Sequence, residues 1–168
     1  GDYERAFDIY SEALVIWPES PEIRLQRALT AERLDRIDRL EADLRIILER
    51  DPNNAEALNA LGYTLADRTD RHEEARELIE RAVALDGSNV AYLDSLGWVY
   101  YKLGRHEEAL EQLDRAYRMS SGDAEIGAHL GEVLWTLNQR ERAHEVWLES
   151  LEADPGHAVL RETLRRLA

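Results

Sequence analysis

A period of 34–35 residues constrains this chain more than any other feature of its sequence. Leu61-Gly62-Tyr63, Leu96-Gly97-Trp98 and Leu130-Gly131-Glu132 recur at steps of 35 residues (61 to 96) and 34 (96 to 130). The pentapeptide Arg71-His72-Glu73-Glu74-Ala75 returns intact as Arg105-His106-Glu107-Glu108-Ala109. Small residues recur at Ala13, Ala82 and Ala116, and loop-forming prolines at Pro18, Pro52 and Pro155. A unit of this length holds one supersecondary element, here two amphipathic helices. A lone pair of helices cannot bury its apolar face, so successive pairs stack and share one core.

Local signals agree with that reading. Asp51-Pro52-Asn53-Asn54 and Asp154-Pro155-Gly156 stop one helix and start the next, as do Ser88-Asn89 and Ser121-Gly122-Asp123 between other units. Glycine and alanine positions let paired backbones approach, while Leu61, Tyr100, Leu110 and Leu113 fill the seam. Apolar residues make up 44% of the chain and only four residues are proline, enough for a helical core and too few breakers to interrupt it.

The pattern resembles the tetratricopeptide repeat family at its defining positions. In a unit opening at Val90 these are Leu96, Gly97, Tyr100, Ala109 and Ala116. In the unit from Ala124 they are Leu130, Gly131, Leu134, Ala143 and Pro155. The unit from Ala55 supplies Leu61, Gly62, Leu65, Ala75 and Ala82, with one extra residue in its internal turn, Asp67-Arg68-Thr69-Asp70. A degenerate unit runs from Pro21 to Asn54, with Ala28 in the glycine position and Ile47 in place of the second alanine, which predicts some distortion of its packing. The resemblance implies an all-α fold, a right-handed α-solenoid of helix-turn-helix hairpins with a C-terminal capping helix. Its expected divisions are 1–20 (the second helix of a truncated repeat), 21–54, 55–89, 90–123, 124–157, and a cap at 158–168 bearing Leu160, Leu164 and Leu167 on one side. Because Gly1 to Ala6 matches the turn and second helix of a repeat, more repeats are expected upstream. The apolar face from Gly1 to Trp17 then makes self-association possible.

Several function classes find no support. With 35 acidic and 21 basic residues the net charge is −14, which repels phosphate backbones and disfavours nucleic acid. The same acidity favours basic partners and also serves solubility. No cysteine is present, which removes disulfides, thiol catalysis and cysteine-held metals. His72-Glu73-Glu74 opens like a zinc-protease helix, but Arg76 stands where the second histidine is needed, and Leu110 fails the second copy likewise. Glutamates at a helix start instead suit the positive end of its dipole. His129, His144 and His157 have no partner at ligand spacing and read as surface or groove residues. No glycine-rich phosphate loop or nucleophile elbow appears. The expectation is a protein that is not an enzyme, with no cofactor, no metal and no membrane span.

In tetratricopeptide arrays the first helices of successive units line the concave face. That places Leu25, Leu29, Glu32 and Arg33, then Asn59, Tyr63 and Asp67, then Asp94, Trp98, Tyr101 and Lys102, then His129, Glu132, Trp135 and Thr136 on the groove. Tyr63, Trp98, Tyr101 and Trp135 make an aromatic ladder suited to protein recognition, although Trp98, beside Gly97, also suits packing between hairpins. Asn59 suits a peptide backbone, and Asp94 and Glu132 suit a Lys or Arg upon it. Trp17 and Trp147, on second helices, are expected in the core. The groove lacks the Lys, Arg and Asn set with which some members clamp a terminal carboxylate.

The wording of the first helices, Leu58 to Asp67, Asp94 to Tyr101 and Ala128 to Trp135, is similar to a narrower group, proteobacterial outer-membrane tetratricopeptide lipoproteins. That group includes an adaptor that brings peptidoglycan hydrolases to a periplasmic carboxyl-terminal processing protease, a serine protease. The resemblance implies a scaffold on the periplasmic face of the outer membrane. The alternatives are a generic scaffold with another envelope or cytoplasmic partner, and an accessory domain of an enzyme whose catalytic part lies elsewhere.

Overall fold

The computed structural model describes residues 2–167, so Gly1 and Ala168, the outermost residues of the first and last expected units, lie outside it. Among the described residues the chain forms ten α-helices and no strand: α1 (Tyr3–Ile16), α2 (Pro21–Arg33), α3 (Ile37–Arg50), α4 (Ala55–Arg68), α5 (His72–Leu85), α6 (Val90–Lys102), α7 (His106–Ser120), α8 (Ala124–Thr136), α9 (Arg140–Ala153) and α10 (Ala158–Leu167). Four antiparallel hairpins, α2–α3, α4–α5, α6–α7 and α8–α9, follow one another. Each second helix also packs on the next first helix, and α4, α6 and α8 meet side by side. This is the all-helical solenoid expected from the period.

Each first helix starts on a residue whose side chain accepts from the exposed N–H groups of its first turn. Ser20 accepts from Ile23, Asn54 from Ala57, Asn89 from Ala91 and Tyr92, and Asp123 from Glu125 and Ile126. The second helices α3, α5, α7 and α9 have no such side-chain cap, so tertiary packing holds their starts. Removing the doubly bonded cap with Asn89→Ala is expected to cost about 1 kcal/mol. It should appear as a lower urea midpoint at unchanged slope, with Asn89→Asp close to wild type.

The hairpin turns reuse one geometry. Asp35, Gly104 and Asn138 each take a left-handed conformation (φ 57°, 74° and 59°) between paired helices, a position that Gly, Asn and Asp tolerate best. In the α4–α5 turn the inserted residue goes into the helix, which has 14 residues against 13 in α2, α6 and α8. Thr69 then turns the chain in extended conformation.

Packing explains the glycines of the signature. A Cβ at Gly97 would overlap the Leu113 side chain, and one at Gly131 would overlap the Trp147 indole. At Ala28 a fully buried methyl fills that seam, so α2 and α3 close over a side chain where the later hairpins close over none. Asp43, 2% exposed, adds a polar tie there, accepting from Arg24 at 3.0 Å and from Arg27 at 2.7 and 2.8 Å. Nothing in the repeat pattern announced it.

The core runs through the stack in two clusters, one from Leu25 to Val99 and one from Leu93 to Leu160, joined where Val83 and Tyr100 pack on both. Helix α10 lays Leu160, Leu164 and Leu167 against the second cluster, in the manner of a cap. Trp147 is 1% exposed, as expected, but Trp17 is not core: it is 58% exposed, just past the end of α1. Among the described residues no helix lies over that side of α1, where Tyr3, Ile9, Val15 and Ile16 are also exposed.

Candidate protein-binding groove

The side-by-side first helices gather eight of the sequence-derived groove residues into one network. At its centre His129 is 3% exposed, and its ring stacks on Trp98 with centroids 4.2 Å apart. Trp98, 7% exposed, stacks in turn on Tyr101 at 5.2 Å and carries the Lys102 ammonium 4.8 Å from its ring centre. Its indole N–H donates to Asp67 at 3.4 Å. Tyr63 lies 6.4 Å from the imidazole and donates its hydroxyl to Glu125 at 3.3 Å. Tyr101 donates to Glu132 at 2.9 Å, and the other Glu132 oxygen accepts from Arg166 of α10.

Two expectations change as a result. His129 is a buried, bonded residue rather than a free one: its Nδ1 meets Asp94 at 2.9 Å, and since a carboxylate only accepts, Nδ1 carries the proton. Asp94 and Glu132, read as selectors of a partner's cation, already face His129 and Arg166 within the protein. Trp135 stands apart from the network. It packs on α9, with His144 at 5.6 Å and Trp147 at 5.7 Å, and with Arg140 4.7 Å over its ring.

Burial opposes charge on His129, but the Asp94 carboxylate, with help from Glu125 and Glu132, outweighs it and holds the imidazole above its ordinary value. The unfolded chain releases that proton near pH 6.5. The stabilisation from the pair is therefore complete below about pH 6.5 and is lost as pH rises through the higher folded value. The stability advantage of wild type over Asp94→Asn should shrink as urea titrations move from pH 6 to pH 9. A constant gap would contradict the ion pair.

Beside this network, sharing Tyr63, Asp94 and Glu125 with it, opens a cleft of about 1270 Å³. Leu29, Glu32 and Arg33 at the end of α2 form one wall. Asn59, Ala60 and Tyr63 of α4 lie across the middle, and Ala91, Tyr92 and Glu125 come from the first turns of α6 and α8. Asp154, Gly156 and His157 of the α9–α10 turn, with Ala158 and Val159 at the start of α10, close the far side. Family reasoning chose positions from the middle to the C-terminal end of each first helix and did not include Glu56, Ala91, Tyr92, Glu125 and the turn. The placement of the Asn89 and Asp123 caps, just before those turns, was the available signal. Burial pushes the Glu32 carboxyl up, and the nearby Glu125 adds to the shift against Arg33 and Arg68. The Tyr63 phenol is pushed well above its usual range by burial and by Glu125, Asp67 and Asp94.

Among the described residues no group of three or more His, Cys, Asp or Glu side chains is placed to hold a metal, and no helix is long and apolar enough to cross a membrane.

Comparison with known proteins adds to this geometry. A TPR repeat-containing protein of Pseudomonas aeruginosa is 46% identical over 101 residues, 60% of this chain, which spans 17% of that protein's length. Among solved structures, a thermophilic TPR protein of Thermus thermophilus superposes with a TM-score of 0.82 at 21% identity, covering 98% of this chain and 90% of its own. MamA from Desulfovibrio magneticus gives 0.76 at 20% identity, covering 94% and 89%. At such identities the two structures speak to the fold alone. The model of the tetratricopeptide repeat family matches residues 25–90 and, in a second register, 64–124. With its signature positions in the hairpin seams and more than half its length matched, the chain belongs to the tetratricopeptide repeat family.

Proposed function

We propose that this chain is a non-catalytic scaffold that holds segments of partner proteins against its concave face. The observation that carries the reading is the cleft itself. It is formed by four first-helix segments and the α9–α10 turn, and it mixes apolar, aromatic and acidic side chains along its length. A surface of that kind offers contact area and hydrogen bonding together.

The finer reading is an adaptor on the periplasmic face of the outer membrane, bringing a carboxyl-terminal processing protease together with peptidoglycan hydrolases. It is supported by the wording of the first helices around Tyr63, Trp98 and His129. The alternatives, another envelope or cytoplasmic partner or service to a catalytic domain, use the same cleft.

Affinity capture separates these. The bait is the wild-type chain against a variant carrying Asn59→Lys and Ala91→Arg, which fills the cleft and leaves the buried network intact. Recovery of a processing protease or wall hydrolase by wild type alone is the expected result. Partners of another kind, lost on filling the cleft, would remove the adaptor and keep the scaffold. Equal recovery by both baits would overturn the groove.

A further inference from the structure

The cleft is not electrically neutral, and its unpaired carboxylates are not Asp94 and Glu132, the pair the sequence suggested as selectors of a cation. Five carboxylates line it (Glu32, Glu56, Asp94, Glu125 and Asp154) against two arginines, Arg33 and Arg68. Asp94 is matched by His129, and Arg68 is paired with Asp35. Four carboxylates therefore face one exposed arginine at the rim. Glu32 of α2 and Glu125 of α8 line the same cleft, and Glu125 opposes the pull of Arg33 and Arg68 on the Glu32 carboxylate. Neither forms an ion pair among the described residues; Glu125 accepts only from the Tyr63 hydroxyl.

A second observation is independent of charge. Two residues lining the cleft, Asn59 and His157, each carry a buried side-chain atom, Oδ1 and Nδ1, with no hydrogen-bond partner among the described residues. Buried polar groups left without partners are rare and costly. Here they lie where a bound chain would bring N–H and C=O groups.

We propose that the cleft takes an extended, basic segment of a partner protein, and that Glu32 and Glu125 together hold one of its lysine or arginine side chains while its backbone lies along Asn59. This rests on the reading of the cleft as the partner-binding face. It places the selectivity for cations on Glu32 and Glu125, while Asp94 and Glu132 are taken up by His129 and Arg166. A cation beside the two carboxylates, neither of which has an ion-pair partner among the described residues, is attracted by both.

The test uses two fluorescein-labelled, nine-residue peptides with blocked ends, one alternating lysine with alanine and the other glutamate with alanine, followed by fluorescence anisotropy. The lysine peptide should bind and the glutamate peptide should not, with affinity falling as salt is raised. Glu32→Gln with Glu125→Gln should weaken binding at least about 10-fold. Glu107→Gln with Glu111→Gln, the same charge change at exposed positions of α7, should change it less than about twofold. Ala91→Arg, an exposed cleft position, should abolish binding independently of either glutamate. Absence of binding to wild type, equal binding of the two peptides, or equal weakening by the two glutamine pairs would overturn the proposal. If the lysine peptide fails while partner capture still depends on the cleft, the basic-segment inference falls and the scaffold stands.

Discussion

Truncation of Trp147 to alanine is expected to cost about 3–5 kcal/mol, the usual range for a large aromatic removed from a packed core. The indole is 1% exposed and lies in the seam between α8 and α9, where it fills the space left by the missing side chain of Gly131. The converse follows from the same contact. Gly131→Ala should be destabilising by about 1–3 kcal/mol, because its methyl must displace the ring, whereas in the Trp147→Ala background the methyl enters vacated space. A double-mutant cycle in urea should therefore show a large coupling of opposite sign to the single losses. Additive losses would mean that the signature glycine serves something other than close approach.

Trp98→Ala carries the second large effect, also about 3–5 kcal/mol by the same reasoning. Trp98 is 7% exposed and sandwiched between the His129 and Tyr101 rings. The His129 ring protons, shifted upfield by the indole, should move toward ordinary positions in the NMR spectrum, and the thermal midpoint should fall with them. Unchanged stability would remove the stack from the account. Trp98 and Trp135 are therefore poor probes of binding, since truncating either disturbs packing before it touches a partner. Asn59, Ala91, Glu32 and Glu125, which line the open cleft, report on binding more cleanly.

The fold was legible because a repeat states its packing many times. Leu-Gly at one interval, a helix stop at another and small residues opposite them leave one arrangement of hairpins. The groove was legible only as a set of positions. Which of them face a partner and which face one another depends on the stagger between neighbouring first helices. That stagger brings Trp98 to Asp67 and Tyr101 to Glu132, each pair 31 residues apart, and Asp94 to His129 at 35. A pair of opposite charges one repeat apart was a usable signal for the last contact. The Glu132 contact with Arg166, 34 residues on, followed the same rule once α10 was taken as a helix in the position of another first helix. Trp17 was misplaced because it was read as part of a second helix, whereas it lies just past the end of α1 on the apolar face that the same reading left open. The cleft's N-terminal turns were missed because the chosen positions run from the middle of each first helix to its C-terminal end.

The account stands most directly on where a partner touches the protein. A photo-crosslinking amino acid placed at Ala91, exposed in the cleft, and separately at Glu107, exposed on α7, tests this in cells making the protein. Mass spectrometry then identifies the covalent products. Crosslinks to a partner from position 91, through a segment containing lysine or arginine, with none from 107, are the expected result. Crosslinks to partners from 107 alone would place recognition on the outer helices and contradict the concave groove.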